Sequence, residues 1–130
     1  MSFFNKLFKT TRETPQQTEP LPPEEYWEVQ ITNGILTVID PDLRMLNIKL
    51  ADILTISIYT TDQGPWLPDA WLAFTGNSFG YVAFPVGCKG YDDTYNVISK
   101  FKGFDFKQVI SAMSSVTNAE FLLWTKVAKI

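Results

Sequence analysis

Leu54-Thr55-Ile56-Ser57-Ile58-Tyr59 sets aliphatic side chains at every second position, with Thr, Ser and Tyr between them. A period of two belongs to a strand with one face in a core and the other face out, and these residue types suit a pleated surface. The stretch therefore predicts a half-buried β-strand, and the same rule organises the sequence on both sides of it. Upstream, beyond a corner at Ala51-Asp52, residues Arg44 to Leu50 put Leu46, Ile48 and Leu50 on one face and Asn47 and Lys49 on the other. Earlier still, Trp27, Val29 and Ile31 alternate with Glu28 and Gln30, and Asn33-Gly34 predicts a tight hairpin into a strand from Ile35 to Ile39. Asp40-Pro41-Asp42 makes the next turn.

Downstream, Gly64, Pro65 and Pro68 break both kinds of regular structure, so residues Thr61 to Asp69 form a long loop. Ala70 to Thr75 and Phe79 to Val86 read as a hairpin turned by Gly76-Asn77-Ser78. The period then changes. Asp92 or Asp93 can cap a helix whose Tyr95, Val97, Ile98 and Phe101 form an apolar side, and Gly103 stops it. Asp105 reads as the N-cap of a second helix, with Gln108 as its reciprocal partner and Phe104 as a staple against Val109. Phe106, Val109, Ile110 and Met113 recur at helical spacing, so this helix too reads as a packing element. Ala119 to Val127 predicts a last strand, with Phe121 and Leu123 on one face and Leu122 and Trp124 on the other. The expected class is α+β: a curved antiparallel sheet of about six meander strands, two helices and a final C-terminal strand, arranged as a two-layer sandwich or partly closed roll.

The chain of 130 residues divides into a short amphipathic headpiece at 1–9, a Pro-rich linker at 10–25 and one domain at 26–130. Phe3, Phe4, Leu7 and Phe8 fall on one side of the headpiece, with Lys6, Lys9 and Arg12 nearby. Pro15, Pro20, Pro22 and Pro23 lie in the linker among Thr, Gln and Glu, with almost nothing to bury. An N-terminus without a signal-peptide pattern, and no apolar run near the roughly 18 residues of a membrane span, make a cytoplasmic protein the expectation.

Composition weighs against the commoner catalytic designs. There is no histidine, which removes the usual general base and metal ligand. The single cysteine, Cys88, excludes an internal disulfide and any Cys-based zinc site. A formal net charge of -3 argues against a grip on nucleic acid. Lys89 beside Cys88 could favour a thiolate, but without a base a buried thiol is the favoured reading. Asp62 and Asp69 flank the 61–69 loop and could form a carboxylate pair; turn-bonding aspartates are the preferred reading. Asp92 and Asp93 read as capping or solvated charges.

Trp66 and Leu67, held between Pro65 and Pro68, offer preordered apolar surface, with a plug over the sheet end as the structural alternative. The headpiece is too short for a stable isolated helix, so it needs a groove of its own domain, a partner or lipid. No cofactor or metal is expected.

Certain motifs carry a resemblance. Trp27-Glu28-Val29, Thr60-Thr61-Asp62-Gln63-Gly64-Pro65, Asp69-Ala70-Trp71, Gly103-Phe104-Asp105, Ala112-Met113 and Asn118-Ala119-Glu120-Phe121 resemble a family of small, largely uncharacterised bacterial proteins. The resemblance covers roughly Tyr26 to Trp124 and implies no activity. Ile48-Lys49-Leu50-Ala51-Asp52-Ile53, running into Leu54 to Tyr59, is similar to bacterial pleckstrin-homology-like domains, which bind lipids, peptides or proteins. Here the first hairpin turn, Asn33-Gly34, lacks the Lys and Arg that would hold phosphates, so the similarity implies a shape and no ligand. The expected function is a non-catalytic protein-interaction domain, with an immunity-type protein as one version. Its candidate partner surface is Trp66, Leu67, Asp62 and Asp69 together with Phe3, Phe4, Leu7 and Phe8. A membrane-surface adaptor anchored by the headpiece is the alternative, and a carboxylate-dependent enzyme ranks last.

Overall fold

The computed structural model describes residues 26–62 and 70–126. Seven strands and two helices follow in the order β1 (Glu28–Thr32), β2 (Ile35–Ile39), β3 (Met45–Lys49), β4 (Ile53–Thr60), β5 (Ala70–Gly76), β6 (Gly80–Pro85), α1 (Tyr91–Ile98), α2 (Phe106–Met113) and β7 (Ala119–Thr125). The fold is α+β with antiparallel strand pairing throughout, as expected. The meander is divided, however. β1, β2 and β3 form one sheet, and a second has the order β6-β5-β4-β7. A 3₁₀ turn at Leu50–Asp52 separates the sheets, and β7 returns to pair with β4 instead of adding at the end.

The Asn33-Gly34 hairpin has both turn residues at positive φ, 53° and 77°, the conformation that gives a two-residue turn the twist of its strands. β1 and β2 then pair in register from Thr32 opposite Ile35 to Glu28 opposite Ile39. In β4 the buried aliphatic set is Ile53, Ile56 and Ile58. Leu54 falls out of the expected alternation because the register shifts between Ile53 and Thr55. A second shift, where β7 passes Ile56 and Ser57, sets Trp124 opposite Ile56 and Phe121 opposite Ile58. Trp124 is thereby turned onto the core side with Phe121 and Leu123, correcting its expected pairing with Leu122.

One apolar cluster joins the two sheets and the helices. Val29, Leu36, Val38 and Ile48 from the first sheet meet Ile56, Ile58, Leu72, Phe74, Phe84 and Leu123 from the second, with Ile98, Phe104 and Ala112 packed in. Phe74 and Phe84 stack at 5.6 Å in its midst. The segment after β6 is pinned to β1, where the Val29 N–H donates to the Lys89 carbonyl at 2.8 Å. Gly90 follows at φ 87°, and a Cβ there would collide with the Val29 carbonyl oxygen.

Candidate functional site

Among the described residues, the sequence-predicted partner surface is represented by Asp62 alone. Trp66, Leu67, Asp69 and the headpiece Phe3, Phe4, Leu7 and Phe8 lie outside those residues. Asp62 is exposed, and its backbone N–H donates to Asn118 Oδ1 at 3.2 Å. Thr60 ties the same strand end to the α2-to-β7 connection, donating to the Thr117 carbonyl at 2.7 Å.

Cys88 is buried, and burial pushes its thiol up to about 12, so it stays protonated and inert at neutral pH. Lys89 does not offset that burial; its Nζ lies 3.9 Å from Glu28. Asp92 and Asp93 lie within the first turn of α1, whereas the N-cap is Gly90, which makes no side-chain cap bond. The reason is packing. Tyr91 and Thr94 must both face the core, which moves the helix start ahead of the two aspartates.

The second helix departs furthest from its sequence reading. Asp105 does cap it, accepting from the Lys107 and Gln108 N–H groups at 3.0 and 3.2 Å. The reciprocal half of the expected capping box is replaced, because the Asp105 N–H donates to the Leu123 carbonyl at 2.8 Å. That bond and the Trp124 indole N–H, which donates to the Lys102 carbonyl at 3.0 Å, clamp the start of α2 against β7. So placed, the helix buries only Ala112 fully and leans Val109 on the core. Phe106, Ile110 and Met113, expected to pack inward, are 53%, 69% and 50% exposed.

Their spacing of four and three residues places them on one face, one above another over about 10 Å of helix. Val116, just past the helix end, is 82% exposed. Phe106 is steadied by an edge contact with Phe104 at 5.0 Å. Four large apolar side chains within eleven residues thus meet water, an uncommon concentration for a surface with no partner. A periodicity argument finds the apolar arc and not which part of it the sheet will cover.

The outer face of the second sheet is different in kind. Tyr59 and Trp71 stack at 6.1 Å, Trp27 meets Trp71 edge-on at 5.6 Å, and Ser57 and Ala73 are buried beneath their surroundings. Desolvation, with Tyr81 beside it, pushes the Tyr59 phenol up to about 12. This aromatic layer is largely satisfied by its own side chains. No family model, no curated protein and no solved structure matches the chain.

Proposed function

We propose that the chain is a non-catalytic, cytoplasmic protein-interaction domain that seats a partner protein on the outer face of α2. The observation that carries this reading is the exposure of Phe106, Ile110 and Met113 on an element whose cap and inner side are already satisfied, with Val116 exposed just beyond it. Aromatic and Met side chains are the types enriched in the buried centre of interfaces. The apolar stripe alone covers a few hundred Å², about half of the roughly 800 Å² per partner of a standard interface, so polar neighbours such as Lys107 and Ser111 complete it as a rim. An immunity-type role, in which a small acidic protein covers a toxin, is one form this docking would take.

A photo-crosslinking side chain placed at Ile110, with Asn77 as the control position, tests the reading in cells producing the full chain. A protein adduct at 110, absent at 77 and lost when Phe106 and Met113 are both changed to Gln, is the expected result. No adduct at 110, or equal capture at 77, would overturn it. A lipid adduct at 110 would replace it with the membrane-surface adaptor. Among the described residues no helix is long and apolar enough to cross a membrane.

A further inference from the structure

A cleft of about 560 Å³ opens where the 3₁₀ turn, the turn after α1 and the end of β7 converge. Its floor is apolar, made of Leu50, Phe101 and Trp124 over the buried Ile53, and its charged members are Lys102 and Lys126. Three separate stretches of sequence supply these side chains, and the irregularities of the sheet bring them together. The shift at Ile53/Thr55 bends the start of β4, and the shift in β7 turns Trp124 inward onto the floor.

The cleft is held open by fixed contacts. Phe101 and Trp124 meet edge to face at 4.9 Å, and the indole N–H donates to the Lys102 carbonyl, which sets the ring's orientation. Lys126 is anchored at its backbone, which donates to the Leu54 carbonyl at 2.8 Å, and its Nζ donates to the Ala51 carbonyl at 2.6 Å. An ammonium has three donors, so that bond leaves Lys126 two more.

The charge is one-sided. No carboxylate lines the cleft, and neither Lys102 nor Lys126 forms a salt bridge with another described residue. Asp52, next to the floor in sequence, is engaged elsewhere by the Ser78 hydroxyl at 2.9 Å. In a chain of net charge -3, two cations with no carboxylate among the lining residues form a local excess of positive charge. The depression is shallow and open to solvent, and its lining, apolar with a few polar groups, has the composition usual for small-molecule sites.

We infer that this cleft binds a small amphiphilic anion, an aryl or acyl carboxylate. Its apolar body lies on Phe101, Trp124 and Leu50, and its carboxylate is held by Lys102 and Lys126. The floor gives inorganic phosphate nothing to bury, and the cations give a neutral aromatic nothing to pair. Discrimination therefore requires both halves of the ligand. This site is independent of the α2 face and survives if that docking reading fails.

The test is titration of the ¹⁵N-labelled full chain with 1-naphthoate, following the Trp124 indole N–H signal, assigned by its loss in Trp124→Phe. A saturable shift of that signal, with the Ala51 and Thr125 amides, is expected. 1-Naphthalenemethanol and inorganic phosphate should each bind at least about tenfold more weakly, the equivalent of one lost charge-assisted contact. Lys102→Gln, on an exposed turn, should weaken naphthoate about tenfold with the remaining spectrum unchanged. Lys126→Gln should do the same and serves as the second variant, Lys102→Gln being decisive if it does not fold. The inference is overturned by any of three results: no saturable shift at Trp124, equal binding of the neutral compound, or undiminished binding by Lys102→Gln.

Discussion

The two helices have the same length, eight residues, and opposite relations to the core. α1 buries Tyr91, Thr94 and Ile98 and starts from a glycine pressed against β1. α2 starts from a well-formed Asp105 cap, buries Ala112 alone and turns Phe106, Ile110 and Met113 outward. One is fastened by burial and the other by its N-terminal hydrogen bonds. The difference teaches that an apolar helix face is not by itself a packing face. What the sheet leaves uncovered is surface available for use.

The contrast can be broken most severely at Gly90. Gly90→Val would force a Cβ onto the Val29 carbonyl and a branched side chain into a left-handed backbone, with an expected loss of about 3 kcal/mol or more. Denaturant titration of the full chain checks it. Matched truncations come next. Ile98→Ala, at a fully buried position of α1, should lose about 2–5 kcal/mol. Ile110→Ala, on the outer face of α2, should change stability by about 0.5 kcal/mol or less. Equal losses from the two would abolish the distinction.

Asp105→Ala removes the bond set that starts α2, and the same titration should register a loss of about 1 kcal/mol.

Alkaline pH should act through the groups that burial keeps protonated, Cys88 and Tyr91 near α1 and Tyr59 on β4. The Cys88 thiol, ordinarily near 9.0, is held protonated to about 12 in the folded chain, so the unfolded chain sheds that proton first as pH rises. Stability from this group is complete below pH 9 and is lost between pH 9 and about 12. Tyr91, raised from 10.0 by burial, drives the same trend at higher pH. Going from pH 8 to 9.5 should cost on the order of 1 kcal/mol through Cys88. Unfolding curves of Cys88→Ala at the two pH values should show that difference removed.

Much of the strand pattern was legible because hairpin turns and alternation are local. Asn33-Gly34 and the Ile56, Ser57, Ile58 alternation are decided by neighbours a few residues away. The return of β7 to β4 was not legible, since pairing of Ser57 with Leu122 depends on where both helices have already packed. The outward set of α2 was hidden for a related reason. Phe106, Val109, Ile110 and Met113 form one arc in sequence, and the long-range bonds from Asp105 to Leu123 and from Trp124 to Lys102 place the helix so that Val109 takes the inner side. The lysine-rimmed cleft draws on residues from Leu50 to Lys126, a convergence that no local pattern encodes.

The most direct test is the unfolding free energy of the full chain with Phe106, Ile110 and Met113 all changed to Gln, a residue that keeps helix propensity and removes the apolar face. If these three side chains belong to the surface, the triple variant should stay within about 1 kcal/mol of the parent. A loss of about 3 kcal/mol or more, on the scale of Ile98→Ala, would mean that the stripe is packed within the chain and would contradict its assignment as a docking face.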